Sequence, residues 1–482
     1  MCVVQSVGSP HKPTTGFSPE ALKINHITVL YVPLAQLSAS EVVMESVSQI
    51  IHARWLITCE AENQVLENHA LVINNGLIKD ILPSDKATER YQASDTQHFG
   101  HHTIMPGFIN THTHLAMNLF RGLADDLTLM NWLNNHIWPA EKKWVSDEFV
   151  YDASLFAMAE MIRSGTTCFN DMYFFLQATA RATDIAGIRG HIGITVIGFP
   201  SAWAQTSDEY ISKGLAFYGE YKNHDRITAT FAPHAIYTVT EDTLIKIRDL
   251  AEEHDLKINM HVHETADEIN ESIAQTKKRP LRRLQDIDFI SPRLIAVHMA
   301  HVDEEDLDIL EKEKPQIVHC PESNMKLASG SCPVQQFQSL GLNVALGTDG
   351  AASNNDLNMF GEMRTAALHA KLLTGNPESL GAKEVLTMAT LNGAKALGID
   401  HLTGSLSIGK AADFIAINLD AIETLPLYHP TSQIVYAASR SQVTDVWVAG
   451  KQLMKNRELL TLNEQELMQK ARYWSNKISA SH

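Results

Sequence analysis

Two histidines one residue apart, His112 and His114, close the apolar run Pro106-Gly-Phe-Ile-Asn-Thr-His-Thr-His114. Alternate side chains of a strand share a face, so both imidazoles project to one side, where neutral ring nitrogens suit a metal ion. In a chain with 23 histidines such a pair also arises by chance. Three further constellations follow short β-type stretches: Ile258-Asn-Met-His261-Val-His-Glu264, Leu294-Ile-Ala-Val-His298 and Val344-Ala-Leu-Gly-Thr-Asp349-Gly. Two histidines from one strand, one from another and an aspartate from a last strand make a mixed nitrogen and oxygen site. That set suits Zn²⁺ with an open position for water, and the ligand types also admit Fe²⁺ or Mn²⁺.

Residues so far apart meet only if the fold gathers strand ends. A (β/α)8 barrel does this, since its functional groups sit at the C-terminal ends of different strands. Between about Met105 and Leu397, β runs alternate with helical patterns at Asp147 to Ser164, Thr240 to Asp255 and Asp303 to Lys312. This alternation favours parallel α/β architecture. A doubly wound sheet is the alternative, but no G-x-G-x-x-G or P-loop stands where such a fold carries one. Strand patterns also occupy both chain ends, with Asn75-Gly76 as a hairpin signal near the start. The expected organisation is an extension over 1–43, a first accessory β segment over 44–105, a barrel over 106–402, and a second accessory β segment with a C-terminal helix over 403–482.

The chain of 482 residues has 39 Lys and Arg against 56 Asp and Glu, a net charge of −17. This acidity speaks against nucleic-acid or anionic-membrane partners, because phosphates are repelled. Cys2, Cys59, Cys168, Cys320 and Cys332 are scattered without a C-x-x-C pair, as expected of thiols in a reducing compartment, and a cytoplasmic enzyme is the default. No apolar run approaches the ~20 residues of a membrane span. Residues 1–43 lack the basic start of a signal peptide and read as a dispensable extension.

The motifs just quoted, joined by Ser164-Gly-Thr-Thr-Cys168, Ala232-Pro-His234, His319-Cys-Pro-Glu-Ser-Asn324 and Leu346-Gly-Thr-Asp-Gly-Ala-Ala-Ser-Asn-Asn355, give a chain that resembles the amidohydrolase superfamily. More narrowly, it is similar to the 5′-methylthioadenosine/S-adenosylhomocysteine deaminases, over roughly residues 45 to 480. The resemblance implies a (β/α)8 TIM-type barrel with a small accessory β-sandwich built from both chain ends. It implies His112, His114, His261 and Asp349 as metal ligands, with His263 structural. Two-metal relatives carry a bridging lysine at the end of the fourth strand. Here Ala229-Thr-Phe-Ala-Pro-His234 has none, so one Zn²⁺ per subunit is expected.

By the same resemblance Glu264 protonates N1 of an adenine ring, Asp349 takes the proton of the attacking water, and His298, preferred to His301, orients that water. His234 reaches toward the nucleoside, Glu141 accepts from the ribose hydroxyls, Ser353 faces the ring or caps a turn, and Asn324 shapes a pocket wall; Glu264 and Asp349 also contact substrate. Relatives that accept S-adenosylhomocysteine offer arginines after the third strand. In this chain none lies between Arg189 and Arg226, and the loop Gly198-Phe-Pro-Ser-Ala-Trp203 is apolar, which favours 5′-methylthioadenosine. The competing readings are a guanine, cytosine or triazine aminohydrolase or chlorohydrolase, and a catalytically inactive assembly protein. Homo-oligomers are common among such barrels, an analogy only.

Overall fold

The computed structural model describes residues 44–60 and 64–480. The expected extension over residues 1–43 lies outside them. Four strands come first: β1 (Glu45–Ile57), β2 (Val65–Asn74), β3 (Leu77–Pro83) and β4 (Tyr91–Pro106). Eight more form the barrel: β5 (Phe108–Thr113), β6 (Thr166–Tyr173), β7 (Arg189–Val196), β8 (Ile227–Pro233), β9 (Ile258–Val262), β10 (Leu294–His298), β11 (Gln316–His319) and β12 (Val344–Leu346). Then β13 (Phe414–Asn418), β14 (Val443–Val448), β15 (Lys451–Lys455) and β16 (Glu458–Leu459) complete the accessory part.

The barrel strands lie side by side in chain order, and their paired neighbours are parallel. Strands β5, β6, β7 and β9 are buried along their whole length, as parallel strands covered by helices must be. The first and last strands approach closely enough for the Thr111 hydroxyl to reach the Leu346 carbonyl and the Asp349 N–H to reach the His112 carbonyl at 3.0 Å. Glycine permits this approach: a Cβ on Gly347 would stand 2.8 Å from the His112 nitrogen.

Helices start where hydroxyl and carboxylate side chains cap them. Ser146, Thr206, Thr240, Thr265 and Asp303 each accept a backbone N–H at the head of Asp147–Arg163, Ser207–Tyr221, Glu241–Glu253, Ala266–Thr276 and Glu304–Glu313, and each helix carries acidic residues in its first turn. Each cap contributes about 0.5–2 kcal/mol.

Both chain ends share one accessory sheet, as expected, in the order β16-β15-β14-β13-β4-β1-β2-β3. Asn75 and Gly76 both take positive φ, 52° and 78°, and turn β2 back on β3. Strand β4 has a polar first half without period-two alternation, so the sequence does not announce its 16 residues. Pairing supplies what propensity lacks: β4 runs parallel to β1 and antiparallel to β13. The accessory sheet is locked to the barrel by Arg189 of β7, whose guanidinium holds Asp413 at 2.6 and 3.1 Å in a buried fork. The C-terminal helix, Glu464–Ser479, packs on the barrel helix Asp147–Arg163: Trp474 donates its indole N–H to Asp152 at 2.9 Å and meets Phe149 edge-on. Among the described residues no helix is long and apolar enough to cross a membrane.

Candidate active site

His112 and His114 leave the end of β5, His261 sits in β9, and Asp349 follows β12 with φ 60°. One ligand atom from each lies within 4.8 Å of the others, and all four residues are buried. Nε2 of His112 is 3.0 Å from Nε2 of His261, while Nε2 of His114 is 3.1 Å from Oδ1 of Asp349. The opposite ring nitrogens are held from behind. Nδ1 of His114 faces the Met172 carbonyl at 2.7 Å, and Nδ1 of His261 faces the His234 carbonyl at 2.9 Å. Both rings therefore donate through Nδ1 and turn an Nε2 lone pair inward. The Asn259 amide lies 3.2 Å from Nδ1 of His112, and its buried Oδ1 has no partner among the described residues. Turned to the ring, that oxygen accepts the Nδ1 proton and frees the third Nε2. Inward-facing lone pairs beside a carboxylate repel one another unless a cation stands between them, so the donor set fits a divalent ion of the zinc type.

Burial pushes His112 down to about 4 and His261 well below the imidazole range, so both rings are neutral at pH 7, as metal ligation requires. Burial lowers His114 too, but the Asp349 carboxylate outweighs it and raises that ring to about 9, so a divalent ion would take the place of the Nε2 proton shared with Asp349. Burial opposes charge on Asp349 too, but His112 and His114 outweigh it and hold the carboxyl well below its ordinary value.

Glu264 enters the same cavity because the strand ends before it. His263 takes φ 54°, which breaks the alternation, and the Glu268 carboxylate receives the N–H groups of His263 and Glu264 at 3.1 and 2.8 Å. His263 points away, its Nε2 accepting the Leu281 N–H. Burial raises the Glu264 carboxyl above its usual range, with His298 opposing. Nε2 of His298 lies 3.8 Å from Glu264, and its ring stacks on His261 at 5.4 Å. His301 turns instead to the Ser329 carbonyl.

These groups line a cavity of about 650 Å³ that also admits His234, Glu141 and Ser353. Nδ1 of His234 is 3.1 Å from the Thr238 hydroxyl. Glu141 accepts a 2.7 Å hydrogen bond from the Tyr173 hydroxyl, and burial raises its carboxyl to about 7 against the pull of Tyr173 and His114. The Ser353 hydroxyl is spent on Oδ2 of Asp349 at 2.9 Å. The outer wall is apolar, with Leu129, Trp132, Leu133, Trp138 and Phe199, and among the described residues Lys142 is the one Lys or Arg lining it.

Residues 103–453 match the Amidohydrolase family. The chain belongs to the amidohydrolase family. This amidohydrolase is 45% identical over 431 residues to a 5-methylthioadenosine/S-adenosylhomocysteine deaminase of Saccharophagus degradans, a match covering 89% of this chain and 97% of that one. It is 41% identical over 368 residues to a 5′-deoxyadenosine deaminase of Methanosphaera stadtmanae, covering 76% and 86%. A crystal structure of an adenosine deaminase from Xanthomonas campestris with bound zinc superposes with a TM-score of 0.90 at 43% identity, over 91% of this chain and all of that one.

Sequence reasoning missed several residues that hold the amidohydrolase site together. Tyr173 ends a strand whose residues are all buried, where nothing in the pattern marks it. Ser323 donates to Oδ2 of Asp349 at 2.7 Å, and Asn324, expected to shape a wall, instead meets His298 at 2.8 Å. Both stand in the motif that begins at His319, which was a usable signal. Glu268 carries none beyond its place near the head of a helix.

Proposed function

We propose that this amidohydrolase hydrolyses the C6 amino group of a 5′-thio-substituted adenosine, 5′-methylthioadenosine above all, to the inosine analogue and ammonia. One observation carries the reading: Glu264, His298 and Asp349 share a single buried cavity with Glu141, a carboxylate suited to ribose hydroxyls. The relatives named as deaminases of such nucleosides support it.

His112, His114, His261 and Asp349 would hold a divalent ion, which would supply the Lewis acidity for water to react near neutral pH. Asp349 receives the proton that the water loses as its oxygen joins C6. Glu264, whose carboxyl burial raises above its usual range, gives its proton to N1, so that the ring accepts the incoming electron pair. His298 orients the water. The proton on Asp349 then passes to the exocyclic nitrogen, the C6–N bond breaks with its electron pair leaving on ammonia, and the proton of the new C6 hydroxyl returns to Glu264 as the carbonyl forms, which restores both carboxyls to their starting states. Glu141 and His234 hold the ribose and the ring.

The metal reading is one Zn²⁺ per subunit, supported by the absence of a lysine in Ala229-Thr-Phe-Ala-Pro-His234 and by the bound zinc of the Xanthomonas relative. A cytoplasmic homo-oligomer, with residues 1–43 dispensable and the barrel spanning 106–402, completes the proposal. The test follows ammonia release from 5′-methylthioadenosine, S-adenosylhomocysteine, adenosine and guanine with zinc-loaded and metal-stripped protein. Metal-dependent turnover of the thioether nucleosides supports the reading. Silence on all four with metal bound overturns it in favour of a non-nucleoside substrate.

A further inference from the structure

We infer that Asn324 sets the tautomer of His298, placing the proton on Nδ1 and leaving Nε2 a bare acceptor at the reaction centre. The two side chains are 1% and 2% exposed, and Oδ1 of Asn324 lies 2.8 Å from Nδ1 of His298. Among the described residues Asn324 is the only hydrogen-bond partner of that ring. An amide oxygen only accepts, so Nδ1 must donate, and a neutral imidazole with its proton there presents a lone pair at Nε2. Among the described residues the amide nitrogen of Asn324 has no partner and its oxygen bonds no other group.

Both partners are built to stay in place. His298 has φ 78°, a left-handed conformation costly for a residue with a side chain, which aims the ring back over His261. Asn324 lies in the short helix Pro321–Lys326, where its N–H bonds the Cys320 carbonyl and its carbonyl receives the Ser329 N–H. The preceding residue, Ser323, holds Asp349, so one short helix orients two of the groups assigned to the chemistry. The consequence deepens the proposed function and rests on it. A bare Nε2 can receive an O–H of the attacking water, and it stands 3.8 Å from Glu264 on the side where that acid works. His298 then acts as an acceptor, and an Nε2–H tautomer would point a donor at the water's hydrogens.

The experiment pairs Asn324→Asp, which keeps an oxygen facing Nδ1, with Asn324→Leu, which keeps the bulk and removes the acceptor. Asn324→Asp is expected to stay within about fivefold of the unaltered kcat. Asn324→Leu should lose about 100-fold in kcat with KM within a few-fold and metal content unchanged, as when a catalytic histidine loses the group that fixes its tautomer. Nitrogen-15 spectra of zinc-loaded, histidine-labelled protein, with His298 assigned by loss of its signals in His298→Gln, should show a protonated Nδ1 in the unaltered enzyme and in Asn324→Asp. A protonated Nε2 in the unaltered enzyme, or full kcat in Asn324→Leu, overturns the inference. If Asn324→Leu does not fold, the spectrum of the unaltered enzyme decides. Absence of nucleoside turnover in the unaltered enzyme refutes the proposed function instead and leaves the tautomer readable in the spectrum.

Discussion

Ser323 donates its hydroxyl to Oδ2 of Asp349 at 2.7 Å, which leaves Oδ1 to face His114 at 3.1 Å and His112 at 3.5 Å. Ser353 donates to the same Oδ2, and the two hydroxyls lie 3.1 Å apart. One carboxylate oxygen is thus anchored and the other presented. Ser323→Ala should weaken metal affinity by about 10–100-fold and lower kcat at saturating zinc less than that, because Ser353 still holds Oδ2. Competition against a chromogenic chelator measures the first and turnover in excess zinc the second. Unchanged affinity would show that Ser353 alone suffices.

Glu264→Gln keeps a hydrogen-bonding side chain but cannot give up a proton. Its turnover should fall by about 10²–10⁴ with zinc content and thermal midpoint near those of the unaltered enzyme. Steady-state rates alongside metal analysis check this.

Glu141 provides a pH test. Burial holds its carboxyl at about 7 in the free enzyme, so the ionised form, which the proposed function assigns to the ribose hydroxyls, predominates above that value. On acidification through pH 7 the group takes up a proton and loses an acceptor. kcat/KM should therefore fall several-fold between pH 8 and pH 6, with the acid limb of kcat at lower pH, because bound hydroxyls favour the carboxylate. Glu141→Gln, which does not titrate, should flatten that limb and narrow the preference for ribonucleosides over 2′-deoxyribonucleosides. Both profiles come from initial rates across the pH range.

The loop after β7 faces the cavity with Phe199, Pro200 and Ala202, and no arginine. Ala202→Arg should raise kcat/KM for S-adenosylhomocysteine by about tenfold and lower it for 5′-methylthioadenosine, as a cation added to an apolar wall rewards a carboxylate and penalises a methyl group. The ratio of the two efficiencies reads this directly.

Asp413→Ala leaves the Arg189 guanidinium buried without its partner. The expected loss is about 3–5 kcal/mol, measured as a lower urea midpoint, and pairing it with Arg189→Met should recover most of it.

The metal cluster was legible because its members end apolar strands, a position that a barrel turns into one shared point. His261 against His263 was not decidable from alternation alone, since both stand on one face of an ideal strand. The structure separates them by the positive φ at His263, a backbone feature that its residue type does not signal. Glu141 and Tyr173 meet across 32 residues of chain. Such a pair leaves no local trace, as periodicity reports on a face and not on what faces it. Strand β4 was hidden for the same reason, its polar residues drawing their order from two partner strands.

Strand β13 pairs with β4, though Phe414 follows Pro106 by about three hundred residues. At ribosomal speeds of ~5–20 residues per second, roughly 15–60 s pass between the two. Throughout that interval the nascent chain carries a finished strand with one unpaired edge, open to any extended segment nearby. On that edge Thr103 and His102 meet their final partners, Ile417 and Asn418, only after β13 has been made.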